Sequence, residues 1–219
     1  SEPGYQWPDE LLRDADMAMY RAKVQGSSQC VLFSPEMRRE ALARLTLESD
    51  LRRALANGEF VLHYQPIVSL VDARLVGWEA LVRWEHPKRG LIAPDEFITV
   101  TEETGMILQL GEWVLNEAAG QLQAWTRRHP EAASLTMSVN CSRRQVVAPQ
   151  FTAVVAEALA NTGLAAQRLN VEITESVFIK DQRQIGEVLT RIREMGVQVH
   201  MDDFGTGYSS LNCLHGLPL

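Results

Sequence analysis

Two adjacent carboxylates, Asp202 and Asp203, follow a short run with two β-branched valines, residues 197–201. The run predicts a strand, and a glycine-rich turn, residues 204–210, follows the two acids. Barrels and open α/β sheets place their chemistry at the C-terminal ends of strands, and adjacent acids there suit a hard cation. A solvated Asp-Asp turn is the alternative, and it would be the better interpretation of this pair taken alone.

Three predicted strands share one design, in which apolar residues occupy one face and polar residues occupy the other. Because side chains alternate along a strand, residues two apart lie on the same face. The polar faces consist of Thr136, Ser138 and Asn140, of Asn170, Glu172 and Thr174, and of Gln198, His200 and Asp202. Bulky branched residues normally fill a barrel interior, so these polar faces predict a wet pocket at the strand ends.

The predicted pocket combines oxygen donors with one arginine. Carboxylate and amide oxygens suit Mg²⁺, Mn²⁺ or Ca²⁺ better than zinc or copper, and a planar guanidinium grips a phosphate with two hydrogen bonds. Metal ions beside a phosphate site predict phosphoryl chemistry with a water nucleophile, with a metal pair about 3.5–4 Å apart as one form of it. The converging residues are Gln65, Glu79, Arg83, Asn140, Glu172, Asp202 and Asp203.

Charge and cysteine content exclude several classes of function. The net charge of -7 and the pI near 5.3 argue against duplex nucleic acid as a partner. The three cysteines, Cys30, Cys141 and Cys213, are far apart and odd in number, which favours a reducing cytoplasm over a disulfide framework or a zinc site. No apolar run approaches the roughly 20 residues that span a bilayer, so we expect no membrane segment in this chain.

Strands and helices alternate from residue 60 onward, which predicts an α/β fold with parallel strands and crossover helices. The first two strands are joined by the short connection 69–74 and are expected to be antiparallel. The predicted strands are 60–68, 75–84, 135–140, 169–174 and 197–201. The predicted helices are 94–104, 106–128, 149–161, 180–195 and 209–214.

The first part of the chain predicts a different organisation. A helix over 9–24 and a strand over 30–33 cannot bury a core alone, so we expect the tail of another domain. A charge-rich helix over 35–57 follows. We place a domain boundary near residue 45, with residues 1–44 as the tail and linker and residues 45–219 as the α/β domain.

Five ordered motifs resemble those of the EAL domain family, over roughly residues 46–219. They are Gln65-Pro66-Ile67, Glu79 to Trp84, Val139 to Ser142, Glu172 to Glu175, and Asp202 to Ser210. The resemblance implies a modified, TIM-like (β/α)₈ barrel. It also implies hydrolysis of cyclic di-GMP to linear pGpG with Mg²⁺ or Mn²⁺, with two ions expected, in bacterial second-messenger signalling.

The resemblance also assigns roles residue by residue. It implies that Gln65, Leu81 and Arg83 contact the dinucleotide, and that Glu175 braces the loop 204–210, which is linked to homodimer contacts. His200 has the parity of Asp202, and an inner packing role is favoured for it over a ligand role. The implied metal ligands are Glu79, Asn140, Glu172, Asp202 and Asp203, and the four carboxylates among them are the implied catalytic residues.

Residues 15–26 resemble the last helix of a GGDEF domain, so we expect a cytoplasmic GGDEF and EAL signalling protein. The EAL barrel is expected to continue past Leu217-Pro218 into a strand that carries a lysine. We therefore expect the barrel to be incomplete at the C-terminus and this polypeptide alone to be inactive, whereas its parent protein is a phosphodiesterase. A receptor that binds cyclic di-GMP without cleaving it is the alternative.

Overall fold

The computed structural model describes residues 7–25, 30–175, 177 and 182–202. The chain divides into two compact units, residues 1–51 and 52–219. Among the described residues, no helix combines the length and the apolar character needed to cross a membrane. The boundary near residue 45 stays a prediction.

The first unit contains helix α1, Pro8–Gln25, and the beginning of helix α2, Pro35–Asn57. Asp14 on α1 is 1% exposed, and both of its carboxylate oxygens accept hydrogen bonds from Arg38 Nη2, at 2.8 and 2.6 Å. Pairing of this kind is what allows a carboxylate to be buried. The strand predicted at residues 30–33 is wrong, because a strand requires a pairing partner and no described residue pairs with this segment.

The second unit is built on one six-stranded sheet. Five strands follow the order β1-β2-β4-β5-β6, and β3 pairs with the last three residues of β2, 84–86. The pairs β1-β2 and β2-β3 are antiparallel, and the pairs β2-β4, β4-β5 and β5-β6 are parallel. This topology confirms the predicted antiparallel start and parallel continuation. The strands are β1 Phe60–Val68, β2 Leu75–His86, β3 Gly90–Ile92, β4 Thr136–Asn140, β5 Leu169–Thr174 and β6 Gln198–Asp202.

Helices connect the parallel strands, as the alternating pattern predicts. The four longer helices of this unit lie within two residues of their predicted bounds, whereas its shortest helix and its shortest strand were not predicted. Helix α3 ends at Gly105, whose φ of 84° is the left-handed conformation that glycine adopts without strain. The predicted helix 209–214 lies outside the described residues. The helices are α3 Pro94–Thr104, α4 Ile107–Arg128, α5 Arg143–Val146, α6 Phe151–Thr162 and α7 Gln182–Glu194.

The core lies between the parallel strands and the helices that cover them. Met137 and Val139 of β4 and Val171 and Ile173 of β5 are buried on the helix-facing side, as their parity predicts. Helix α4 packs on β4 and α6. Because the apolar side chains of these strands face the helices, the polar side chains, which alternate with them, face the other side of the sheet.

Candidate active site

The strand register sets the polar residues in rows across the sheet. In the first row, Gln65 of β1 pairs with Glu79 of β2, and Glu79 pairs with Ser138 of β4. Ser138 then pairs with Asn170 of β5. The predicted parity of these residues is therefore confirmed, and one carboxylate enters the site from this row.

The next row lies two residues closer to the C-terminal ends of the strands. Asn140 pairs with Glu172, and Glu172 pairs with His200 of β6. Asp202 follows in the third row, where it pairs with Thr174. Three neighbouring parallel strands thus bring predicted site residues together at their C-terminal ends, which is where α/β proteins place their chemistry.

A hydrogen bond joins the first two rows. Asn140 Nδ2 donates to Glu79 Oε1 over 2.6 Å. The Asn140 amide is thereby turned so that its Oδ1 can accept a hydrogen bond or bind a cation. Glu79 is half-buried and Asn140 is exposed, so this pair lies at the edge of the polar face.

Glu172 is largely enclosed, with a side chain 14% exposed. Burial is the largest cause that raises the pKa of Glu172, and the negative charges of Glu79 and Asp202 raise it further. A hydrogen bond with Ser138 and the nearby His200 act in the opposite direction. A divalent cation would relieve this repulsion, because its positive charge attracts the carboxylates and offsets their negative charge.

His200 lies beside Glu172, with 3.8 Å between His200 Nδ1 and Glu172 Oε1. Its side chain is 51% exposed. The packing role that the sequence favours for His200 is therefore wrong. The imidazole contributes a nitrogen atom near the carboxylates instead.

Cys141 is buried directly after Asn140 and is no nucleophile. Burial, together with the negative charge of Glu172, raises the pKa of the Cys141 thiol to about 12. The thiol is therefore protonated at neutral pH, and a protonated thiol is a poor nucleophile and metal ligand.

A cavity of about 530 Å³ opens beside the strand ends. Asn140 and Glu172 form part of its wall together with Leu81. Apolar residues of α3 and α4 such as Ile98 and Leu110 line another part, and further polar residues, among them Arg143, complete it. This combination of an apolar wall and a few polar groups is typical of small-molecule sites, and the volume is within their usual range. The helix residues were not predicted, because nothing in their helical spacing separates a cavity wall from core.

The other predicted substrate contacts lie on β1 and β2. Arg83 is half-buried, and its Nη1 donates to the carbonyl oxygen of Val82 at 2.8 Å. Gln65 is exposed beside Glu79. Glu175 is half-buried and directly follows β5, whereas Asp203 and the loop 204–210 lie outside the described residues.

The donor set fits a hard divalent cation in chemistry. Glu79, Glu172 and Asp202 offer carboxylate oxygens, and Asn140 offers an amide oxygen, which are the ligands that Mg²⁺ and Mn²⁺ prefer. Within the described part of the chain, no three His, Cys, Asp or Glu side chains are grouped closely enough to hold an ion. The fifth predicted ligand, Asp203, is not among the described residues.

Comparisons with known proteins give the family. The sequence model of the EAL domain matches residues 48–219. The bifunctional diguanylate cyclase/cyclic di-GMP phosphodiesterase MucR of Pseudomonas aeruginosa is 42% identical over 209 residues, 95% of this chain and 30% of MucR. The cyclic di-GMP phosphodiesterase NbdA of the same organism is 41% identical over 211 residues, 96% of this chain and 27% of NbdA. The chain thus spans between a quarter and a third of the length of these relatives.

A solved structure extends the comparison to the fold. The PaMucR phosphodiesterase in complex with cyclic di-GMP superposes with a TM-score of 0.75 at 42% identity, covering 79% of this chain and 69% of that chain. The predicted fold class, an α/β barrel of the EAL type, is confirmed by this match. On the family match and this structural likeness, the chain belongs to the EAL domain family.

Proposed function

We propose that this protein is a metal-dependent phosphodiesterase that hydrolyses cyclic di-GMP to linear pGpG. The observation that carries the proposal is the placement of Asn140, Glu172 and Asp202 at the C-terminal ends of the neighbouring parallel strands β4, β5 and β6. Glu79 joins them from β2 through its hydrogen bond with Asn140, and the charges of Glu79 and Asp202 add to the burial that raises the pKa of Glu172. The names of MucR and NbdA support the reaction, and the cyclic di-GMP complex of PaMucR supports the ligand.

The proposed metal site is formed by Glu79, Asn140, Glu172, Asp202 and Asp203. Two Mg²⁺ or Mn²⁺ ions bound there would lower the pKa of a bound water and neutralise charge on the phosphate. Asn140 holds Glu79 by its amide group, so the two side chains present their oxygens in a fixed relation.

The proposed substrate contacts extend from the metal site along β2. Leu81 lines the cavity and offers apolar contact to a base, while Arg83 offers its guanidinium to a phosphate. The Arg83 bond to the Val82 carbonyl uses one of five N–H donors, so the others can serve the substrate. Gln65 reaches the same edge from β1.

Four further features belong to the proposal. Glu175 braces the loop 204–210, and the domain forms a homodimer through contacts linked to that loop. The protein acts in the cytoplasm. Residues 1–44 are the end of a GGDEF domain, which agrees with the bifunctional name of MucR.

The reaction is tested with the protein expressed from its full reading frame. Purified protein is incubated with cyclic di-GMP and Mn²⁺, and pGpG is followed by chromatography, with excess EDTA and Glu79→Gln as controls. We expect pGpG from the wild type with Mn²⁺ and none in either control. Undiminished turnover in EDTA would overturn the metal requirement, and tight binding without any cleavage would identify a receptor.

A further inference from the structure

Ser138 and Asn170 form a buried polar pair beneath the carboxylates, here called the buried pair. They are partners across β4 and β5 and are 0% and 4% exposed. Asn170 Nδ2 donates to Ser138 Oγ at 3.3 Å. Neither residue is among those that the motifs assign to the site.

Two neutral polar side chains at this depth need a reason. Transferring a hydroxyl or an amide from water to the interior costs free energy unless it is hydrogen-bonded, and apolar branched residues normally fill this part of a barrel. The pair is therefore explained by what it contacts.

The neighbour that explains the pair is Glu172, which lies two residues beyond Asn170 on the same strand face. A hydroxyl has one proton to donate, and because Ser138 Oγ already accepts from Asn170, that proton is directed to another acceptor. Glu172 is near enough for this, because the Ser138 hydroxyl favours the ionised carboxylate of Glu172 and so acts against its raised pKa. The Asn170 amide thus acts on the Ser138 hydroxyl through a hydrogen bond, and the Ser138 hydroxyl acts on the Glu172 carboxylate.

We propose that Ser138 and Asn170 are positioning residues, which fix the orientation of the Glu172 carboxylate for binding a divalent cation. The inference rests on the proposed function, because it concerns a ligand of the proposed metal site. A hydrogen bond to one oxygen of a metal-binding carboxylate restricts the rotation of that carboxylate. Its other oxygen is then held toward the cation. Removing such a contact in metalloproteins commonly lowers metal affinity or activity by about 10- to 100-fold.

The experiment separates positioning from packing. Ser138→Ala removes the hydroxyl that contacts Glu172. Thr101→Val is the matched control, because the Thr101 hydroxyl is also 0% exposed but donates to the Ile98 carbonyl oxygen at 2.7 Å in α3. Mn²⁺ binding is measured without substrate from the electron paramagnetic resonance signal of free Mn²⁺, and kcat and KM for cyclic di-GMP are measured at saturating Mn²⁺.

We expect Ser138→Ala to raise the Mn²⁺ dissociation constant about tenfold and to lower kcat, with KM for cyclic di-GMP within about twofold of wild type. Asn170→Ala should change Mn²⁺ binding in the same direction by about threefold, because it acts through Ser138. Thr101→Val should lower the melting temperature without changing Mn²⁺ binding.

Two different results would overturn different claims. Mn²⁺ binding by Ser138→Ala equal to that of wild type, in a protein that cleaves cyclic di-GMP, would overturn the positioning role alone. A wild-type protein that neither binds Mn²⁺ nor cleaves cyclic di-GMP would overturn the proposed function together with this inference.

Discussion

Two successive residue pairs across β4 and β5 differ sharply in charge and exposure. The buried pair, Ser138 and Asn170, is neutral and closed off from solvent. The next pair, Asn140 and Glu172, called here the upper pair, is one alternation closer to the strand ends and carries a carboxylate whose pKa is raised. Neutral polar groups can satisfy one another without water, whereas an ionised group keeps a cost that only a cation or solvent can remove.

This difference indicates which pair can hold a ligand and which can only support one. Asn140 is exposed and already fixes Glu79 at 2.6 Å, so the upper pair has oxygens within reach of solvent. The buried pair has none. Substitutions that exchange the character of the two pairs therefore test this division of roles.

The largest effect is expected for Glu79, whose carboxylate is held by Asn140 of the upper pair. Glu79→Ala should lower kcat by about 10³-fold, roughly 4 kcal/mol in the barrier, because it removes a proposed metal ligand and the partner of Asn140. The fold should persist, since Glu79 is half-buried at the edge of the polar face. The measurements are steady-state turnover and the melting temperature.

Glu85→Ala is the matched control for that substitution. Glu85 is an exposed carboxylate of the same strand and parity, and it lies outside the site. Its removal should leave turnover within about twofold. Activity of Glu79→Ala within about threefold of wild type, or some 0.65 kcal/mol in the barrier, would exclude Glu79 from the metal site.

A charge placed in the buried pair should be the most damaging change to stability. Asn170→Asp puts a carboxylate at a position that is 4% exposed and beneath Glu172, so it should lower the free energy of unfolding by about 2 kcal/mol at neutral pH. Urea unfolding of the metal-free protein measures this. Unchanged stability would show that water reaches the pair, and the contrast between the two pairs would fail.

Strand parity explains why much of this site could be predicted from the sequence. The bounds of Phe60–Val68 and Leu169–Thr174 agree with those predicted, because turn residues flank β1 and apolar and polar residues alternate strictly in β5. Once the bounds are known, the parity of Glu172 follows. Parallel order then brings the C-terminal strand ends together.

Strand parity does not tell how deeply a side chain is buried or which segment a strand pairs with. The wrong predictions arise from these two unknowns. Ser138 and Asn140 have the same parity, yet one is buried and the other exposed, because the covering elements set the depth along a strand. The segment 30–33 has an apolar composition like a strand but no described strand to pair with. Nonlocal contacts of this kind leave no periodic signal.

A tenfold effect on substrate binding is expected at Arg83, which lies on β2 outside the two pairs. Arg83→Ala should raise KM for cyclic di-GMP about tenfold, near 1.4 kcal/mol, with kcat within about threefold, because a phosphate contact is lost while the metal ligands remain. Arg74→Ala is the control, since Arg74 is exposed and pairs with Asp72 in the β1–β2 connection. A fall in kcat at unchanged KM would assign Arg83 to the chemical step instead.

The smallest expected effect is a gain in stability on removing the charge of the upper pair. The pKa of Glu172 is raised, chiefly by burial, so the folded state disfavours its ionised form and ionisation at neutral pH lowers stability. Glu172→Gln should therefore raise the free energy of unfolding of the metal-free protein by about 1 kcal/mol, while turnover is lost.

The sign of this gain depends on pH. Because the folded-state pKa lies above the unfolded one, the gain should be complete above the folded-state pKa and should vanish once the pH falls below the ordinary pKa of a glutamate, where both states are protonated. Urea unfolding in the presence of a chelator at several pH values measures it, and Glu85→Gln should show no such gain. A metal-free Glu172→Gln protein less stable than wild type at neutral pH would mean that Ser138 and His200 outweigh burial and repulsion, and that the upper pair is already balanced without a cation.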